Sequence, residues 1–165
     1  MATPLHKHDY KNPGEHEAAI LDMVRNTKLP TGIYYVPWCS HESAKDPETQ
    51  KRMAEGPWAM LSIPAGKPNM GRMLGLWFAH AVITSFVVAY IASHAGLAPG
   101  AAYLSVFRLV GATTLLAYAG YTLPMYIWHG MPKSQIPGRL IDGLVYSLLT
   151  AGTFAWLWPN APVTA

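Results

Sequence analysis

Four ionisable side chains stand in or beside long apolar stretches of this sequence: His80, Arg108, His129 and Asp142. Keeping such a group away from water is costly, so each marks a candidate functional position. An imidazole both accepts and donates, a phenol can pass on a proton and a carboxylate can hold the charge. His80, Tyr121 and Asp142 are therefore the candidate catalytic set, suited to proton relay. Arg108 has no acidic residue at matching depth, and its fork of donors suits a lipid phosphate or a partner subunit's carboxylate. His80 also has a purely structural reading, as a neutral histidine bonded to a hydroxyl of Tyr118, Tyr121, Tyr146 or Ser147, which fall at comparable depth.

Other chemistries fail on spacing. Haem held by two histidines needs both imidazoles at one depth on different helices, and His80, His94 and His129 fall at three different depths. Cys39-Ser40-His41, even with His6, His8 or His16 nearby, fits no zinc pattern, and one cysteine allows no internal disulfide. The chain has no G-x-S-x-G turn, Walker loop or G-x-G-x-x-G loop. No metal or cofactor is expected. A formal charge of +3, with basic residues mixed among acidic ones before residue 73, provides no basic stripe, so nucleic-acid binding is excluded.

The elements that position these residues are three apolar runs. Residues 74–93 hold no Asp, Glu, Lys or Arg, residues 101–128 only Arg108, and residues 140–158 only Asp142. Roughly 20 helical residues cross a hydrocarbon core about 30 Å thick. The expected fold is an all-α membrane protein: three transmembrane helices at about 73–94, 102–127 and 139–158, within a domain spanning 71–160. A small cytoplasmic α+β head at 12–70 precedes them, after a disordered start at 1–11, and an external tail follows at 161–165.

In the head, Asn12-Pro13-Gly14-Glu15 predicts a helix start, running to about residue 27. Strands are expected at 33–36 and 58–63, with a short helix capped by Asp46-Pro47 between them and an antiparallel pairing of the two strands. The first 20 residues carry no apolar segment, so no cleavable signal peptide is expected and the first span serves as its own insertion signal. Lys133 and Arg139 lie between the second and third spans, while the connection at 95–100 and the tail carry no charge. Positive charge stays inside, which places the N-terminus in the cytoplasm and the C-terminus in the periplasm of a bacterial inner membrane.

Small residues every fourth position let membrane helices approach closely. Ala81, Ser85, Ala89 and Ser93 form such a row on the first span, and Gly143, Ser147, Ala151 and Ala155 form one on the third. These two rows are expected to meet. Pro124 is expected to kink the inner end of the second span.

The layout is similar to that of many small bacterial inner-membrane proteins with a short soluble head and three spans, and it carries no diagnostic motif. Its expected role is a non-catalytic accessory, assembly or structural subunit, in contact with membrane lipids and with other membrane subunits or copies of itself. The alternative is a small membrane enzyme or proton-coupled carrier subunit centred on His80. A third reading has residues 34–38 of the head bind a cytosolic partner by strand addition.

Overall fold

The computed structural model describes His6 and residues 9–160. The elements are α1 (Glu17–Thr27), β1 (Gly32–Val36), α2 (Pro47–Glu55), β2 (Ala59–Ile63), α3 (Met70–His94), α4 (Tyr103–Ala119), α5 (Thr122–Trp128) and α6 (Ile136–Leu157). They divide into a head of residues 11–68 and a helical unit that begins at Asn69 and also takes in His6, Asp9 and Tyr10. The external tail expected at 161–165 lies outside the described residues, as does most of the disordered start.

In the head, β1 and β2 pair antiparallel, with Gly32 opposite Ile63 and Val36 opposite Ala59. Asp46 caps α2, its Oδ2 accepting from the Thr49 amide at 2.9 Å and the Thr49 hydroxyl at 3.0 Å. Those two bonds, the amide's first, hold the Asp46 carboxyl below its usual range. The predicted cap at Asn12 forms a different motif. Asn12 Oδ1 accepts from the Gly14 amide at 2.8 Å, but Gly14 has a φ of +63°, far from the α-helical value. The α-helix therefore starts only at Glu17, after a 3-10 turn at Gly14–His16. Thr49 is the one buried residue in this unit among those described.

The helical unit contains three helical segments long and apolar enough to cross a membrane: Met70–His94, Tyr103–Trp128 and Lys133–Leu157, each holding an 18-residue stretch whose mean hydropathy is 1.8, 1.2 and 1.4 respectively. Leu74, Phe78 and Phe86 on α3 are 60%, 70% and 73% exposed, which water would penalise and lipid would not. These features suggest a multi-pass membrane protein.

Two helices begin earlier than the apolar runs. Asn69 Oδ1 accepts from the Arg72 amide at 2.9 Å and starts α3 one turn ahead of the run. In α6, Pro137 sits in the first turn, where its missing N–H costs nothing.

Pro124 disturbs the second span where a defect was expected. A proline ring in a regular helix would clash with the carbonyl four residues back, that of Gly120, and the span is interrupted at Gly120–Tyr121, between α4 and α5.

α4 and α6 form the main seam of the unit. Val106, Val110 and Thr114 of α4 and Ala151 of α6 are completely buried, and Ser147 nearly so. A Cβ on Gly143 would lie 2.6 Å from the Ala119 Cβ, and one on Gly111 would lie 3.4 Å from the Ala151 Cβ. Those contacts are two turns apart on each helix and run in opposite order, so the helices are antiparallel. At the end opposite α5, the Gly100 N–H donates to Pro159 O at 2.7 Å and the Trp158 indole N–H to Ala98 O at 3.1 Å, tying the connection between α3 and α4 to the end of α6.

The expected meeting of the first and third spans is replaced by this seam. The row Gly143, Ser147, Ala151 and Ala155 is buried in packing dominated by α4. The row Ala81, Ser85 and Ala89 instead lines an open apolar groove of about 420 Å³, bounded by Phe78, Phe86 and Phe154. A row of small residues shows that a face can be approached closely, but not which helix will do so. α3 leans on α4 and buries only Val88 and Ala92.

Gly143→Val should drive a methyl into the Ala119 backbone and cost on the order of 1–3 kcal/mol, as overpacking does. Ala89→Leu, on the open groove, should leave the melting temperature in detergent unchanged. Equal melting temperatures for the two variants would contradict the seam.

Candidate functional site

At the end of the helical unit where α3 begins, aromatic side chains from three helices converge. Trp77 comes from the second turn of α3, Tyr118 from the end of α4 and Tyr146 from α6. Their ring centroids are 6.4 Å (Trp77–Tyr118), 6.0 Å (Trp77–Tyr146) and 5.7 Å (Tyr118–Tyr146) apart. His80, one turn beyond Trp77, lies 5.5 Å from it and 6.3 Å edge-on from Tyr118. Beside the three rings opens a cavity of about 290 Å³, which Thr122, Arg139 and Asp142 also line.

The seam sets this geometry. Tyr118 precedes Ala119, and Tyr146 is one turn beyond Gly143, so the closest approach of α4 and α6 brings the two phenols together. Residues three apart on a helix share a face, which places Arg139 and Asp142 side by side on the cavity wall.

Sequence spacing alone lets Asp142 pair with Arg139, three residues before it, or cap the third span's first turn. In the structure its Oδ2 faces the Nε2 of His6 at 2.9 Å, while the Nδ1 of His6 faces Asp9 Oδ2 at 2.7 Å. Gln135 donates from its side-chain amide to the Asp9 carbonyl. The segment around His6 and Asp9 is thus bonded to the start of α6, where a frayed terminus was expected. Arg139 has no hydrogen bond or ion pair among the described residues.

The catalytic candidates have separate partners. His80 lies among Trp77 and Tyr118, Tyr121 bonds through its hydroxyl to His129 Nε2 at 3.2 Å, and Asp142 bonds to His6. Arg108 is exposed on α4 with no ion pair among the described residues. The Cys39 thiol donates to the neighbouring Ser40 carbonyl at 3.6 Å. Among the described residues, no group of three His, Cys, Asp or Glu could hold a metal.

Matching depth pointed to Tyr118 and Tyr146 as neighbours of His80. Trp77 reads from sequence only as an interfacial ring. The tie of His6 and Asp9 to the helices carried no readable signal, because Asp142 and Gln135 lie more than a hundred residues away.

Two carboxylates against one imidazole favour the imidazolium, which donates from both nitrogens. The hydrogen bond to Asp9 raises the His6 pKa above its ordinary 6.5 most strongly, exposure to less water opposes it, and the charge of Asp142 adds to the rise. For a raised value, the stabilising tie is fully present below the ordinary pKa and is lost as pH climbs through the raised one. NMR titration of His6 should give a midpoint above 6.5. Both Asp9→Asn and Asp142→Asn should lower it, Asp9→Asn more. A midpoint indifferent to both substitutions would refute the tie.

Compared with known proteins, the chain matches no family model, no curated protein and no solved structure.

Proposed function

We propose that this chain is a non-catalytic accessory, assembly or structural subunit of a bacterial inner membrane that packs through α3 against helices of another subunit or of a second copy. The observation that carries the reading is the sparse packing of α3 within its own chain. Of its 25 residues only Val88 and Ala92 are buried, and its row of small residues faces an open groove. Without a hydrophobic drive between helices in lipid, small residues act by admitting a neighbouring helix to close range. A groove floored by Ala81, Ser85 and Ala89 and walled by phenylalanines is shaped for such a neighbour. Exposed Arg108, without a carboxylate partner among the described residues, adds a charge that a partner's acidic group or a lipid phosphate would satisfy.

The orientation belongs to the same proposal. Lys67, Arg72, Lys133 and Arg139 lie at the end of the spans where α3 begins, and residues 95–100 at the other end carry no charge. Retention of basic residues inside supports a cytoplasmic N-terminus and a periplasmic C-terminus.

Ala89→Leu fills the groove without touching the α4–α6 seam. In mild detergent it should reduce the mass of the purified complex, by light scattering, to that of a single chain. Melting temperature should hold. If wild type and variant elute at the same mass with the same co-purifying chains, α3 is not the docking helix.

A further inference from the structure

We propose that the cavity between Trp77, Tyr118, Tyr146, Arg139 and Asp142 seats the headgroup of a zwitterionic phospholipid, with its phosphate on Arg139 and its ammonium between Asp142 and the rings. The inference rests on the membrane reading of the three spans and goes beyond the docking of α3.

The first support is the allocation of charge on the cavity wall. Neighbours three apart on a helix ordinarily pair with one another. Here His6 has taken Asp142 Oδ2 at 2.9 Å. Arg139 therefore faces the cavity with its donors unused among the described residues, and the Oδ1 of Asp142 is likewise unused. A planar guanidinium with free donors binds phosphate in a two-pronged fashion.

The second support is the ring cluster. Aromatic faces attract a cation held within about 6 Å of their centroids, most strongly when water is excluded. Trp77, Tyr118 and Tyr146 border the cavity together, with centroids 5.7–6.4 Å apart. A cation resting on this cluster is within range of all three, with a carboxylate beside it. An anion alone would leave the rings and the second carboxylate oxygen of Asp142 unmatched, and a cation alone would leave Arg139 unmatched. A phosphate joined to an ammonium by a two-carbon link satisfies both, because side chains three apart on a helix are separated by about 5–6 Å at Cβ.

Depth agrees with a lipid source. Arg139 lies six residues from Lys133 and Trp77 seven from Met70, the starts of their candidate spans, so both stand roughly 10 Å from those ends. Side chains tilt toward a helix's N-terminus, which carries Arg139 and Asp142 back toward the headgroup level. The bond from Asp142 to His6 shows that this wall meets the polar segment before the helices.

The experiment is native mass spectrometry of the full chain in mild detergent. It is titrated with phosphatidylethanolamine, with phosphatidylglycerol of the same acyl chains, and with glycerophosphoethanolamine, the chainless headgroup. Phosphatidylethanolamine should bind several-fold tighter than phosphatidylglycerol, and the chainless headgroup should not compete. Arg139→Gln should weaken both lipids about tenfold, as loss of a charged hydrogen bond does, and Arg139→Lys should weaken them less. Trp77→Leu and Asp142→Asn should weaken phosphatidylethanolamine alone. Melting temperature checks that each variant is folded, and should Arg139→Gln fail to fold, Arg139→Lys serves in its place. Equal affinity of wild type for the two lipids overturns the proposal, as does binding unaltered by either Arg139 variant. Competition by the chainless headgroup at matched concentration would make this a soluble phosphoester site instead and overturn the lipid assignment. Ala89→Leu should bind phosphatidylethanolamine like wild type, so the headgroup seat and the docking groove stand or fall separately.

Discussion

The close approach of α4 and α6 is the constraint from which the rest of the helical unit follows. Gly143 has no room for a methyl against Ala119, and among the described residues no hydrogen bond joins α4 to α6 to compensate for a looser fit. Thr114 donates to the Val110 carbonyl at 2.7 Å and Ser147 to the Leu144 carbonyl at 2.8 Å, each within its own helix. The hydroxyls are satisfied before the helices meet, so they neither cost nor direct association. What remains is dispersion between closely fitted surfaces, which is lost steeply when a gap opens. The seam thereby fixes the Tyr118–Tyr146 contact and the cavity beside it.

The same seam explains why α3 is sparsely packed. α6 commits its small-residue row to α4, and α3 is left to touch α4 near Val88 and Ala92. At the end where α3 begins Trp77 meets Tyr146, while further along a groove separates α3 from Phe154 of α6. The aromatic end and the buried end hold α3 in place, and the stretch between them stays open.

Much of this was legible in the sequence because it depends on local chemistry. The span lengths follow from uncharged runs. The Asp46 cap follows from Asp-Pro before a helical segment, and the pairing of β1 and β2 from two β-branched or aromatic runs. The shared level of His80, Tyr118 and Tyr146 follows from counting residues in antiparallel helices. Partner choice was not legible. Ala81, Ser85 and Ala89 have the same period as Gly143, Ser147 and Ala151, yet only the second row is buried, and nothing within either row distinguishes them. The break at Gly120–Tyr121 was half legible, since Pro124 announced a defect whose consequence falls four residues earlier. The link from His6 to Asp142 joins opposite ends of the chain and leaves no trace in periodicity. Without it the nearest cation, Arg139, was the natural partner for Asp142.

That misassignment has a physical consequence. An Arg139–Asp142 pair on one face of α6 would be closed, with each charge neutralised by its neighbour and the cavity wall electrically quiet. The imidazole of His6 removes the carboxylate from that pairing and is itself supported by Asp9 on its other nitrogen. Two acids and one histidine thus form a set in the segment before the helices and the wall of α6, and the guanidinium is excluded from it. An arginine near the end of an apolar helix cannot shed its charge, so it must find an anion from outside the described chain or remain solvated at the headgroup level. The distribution of charge at this end of the unit is therefore set less by α6 itself than by a short segment more than a hundred residues earlier.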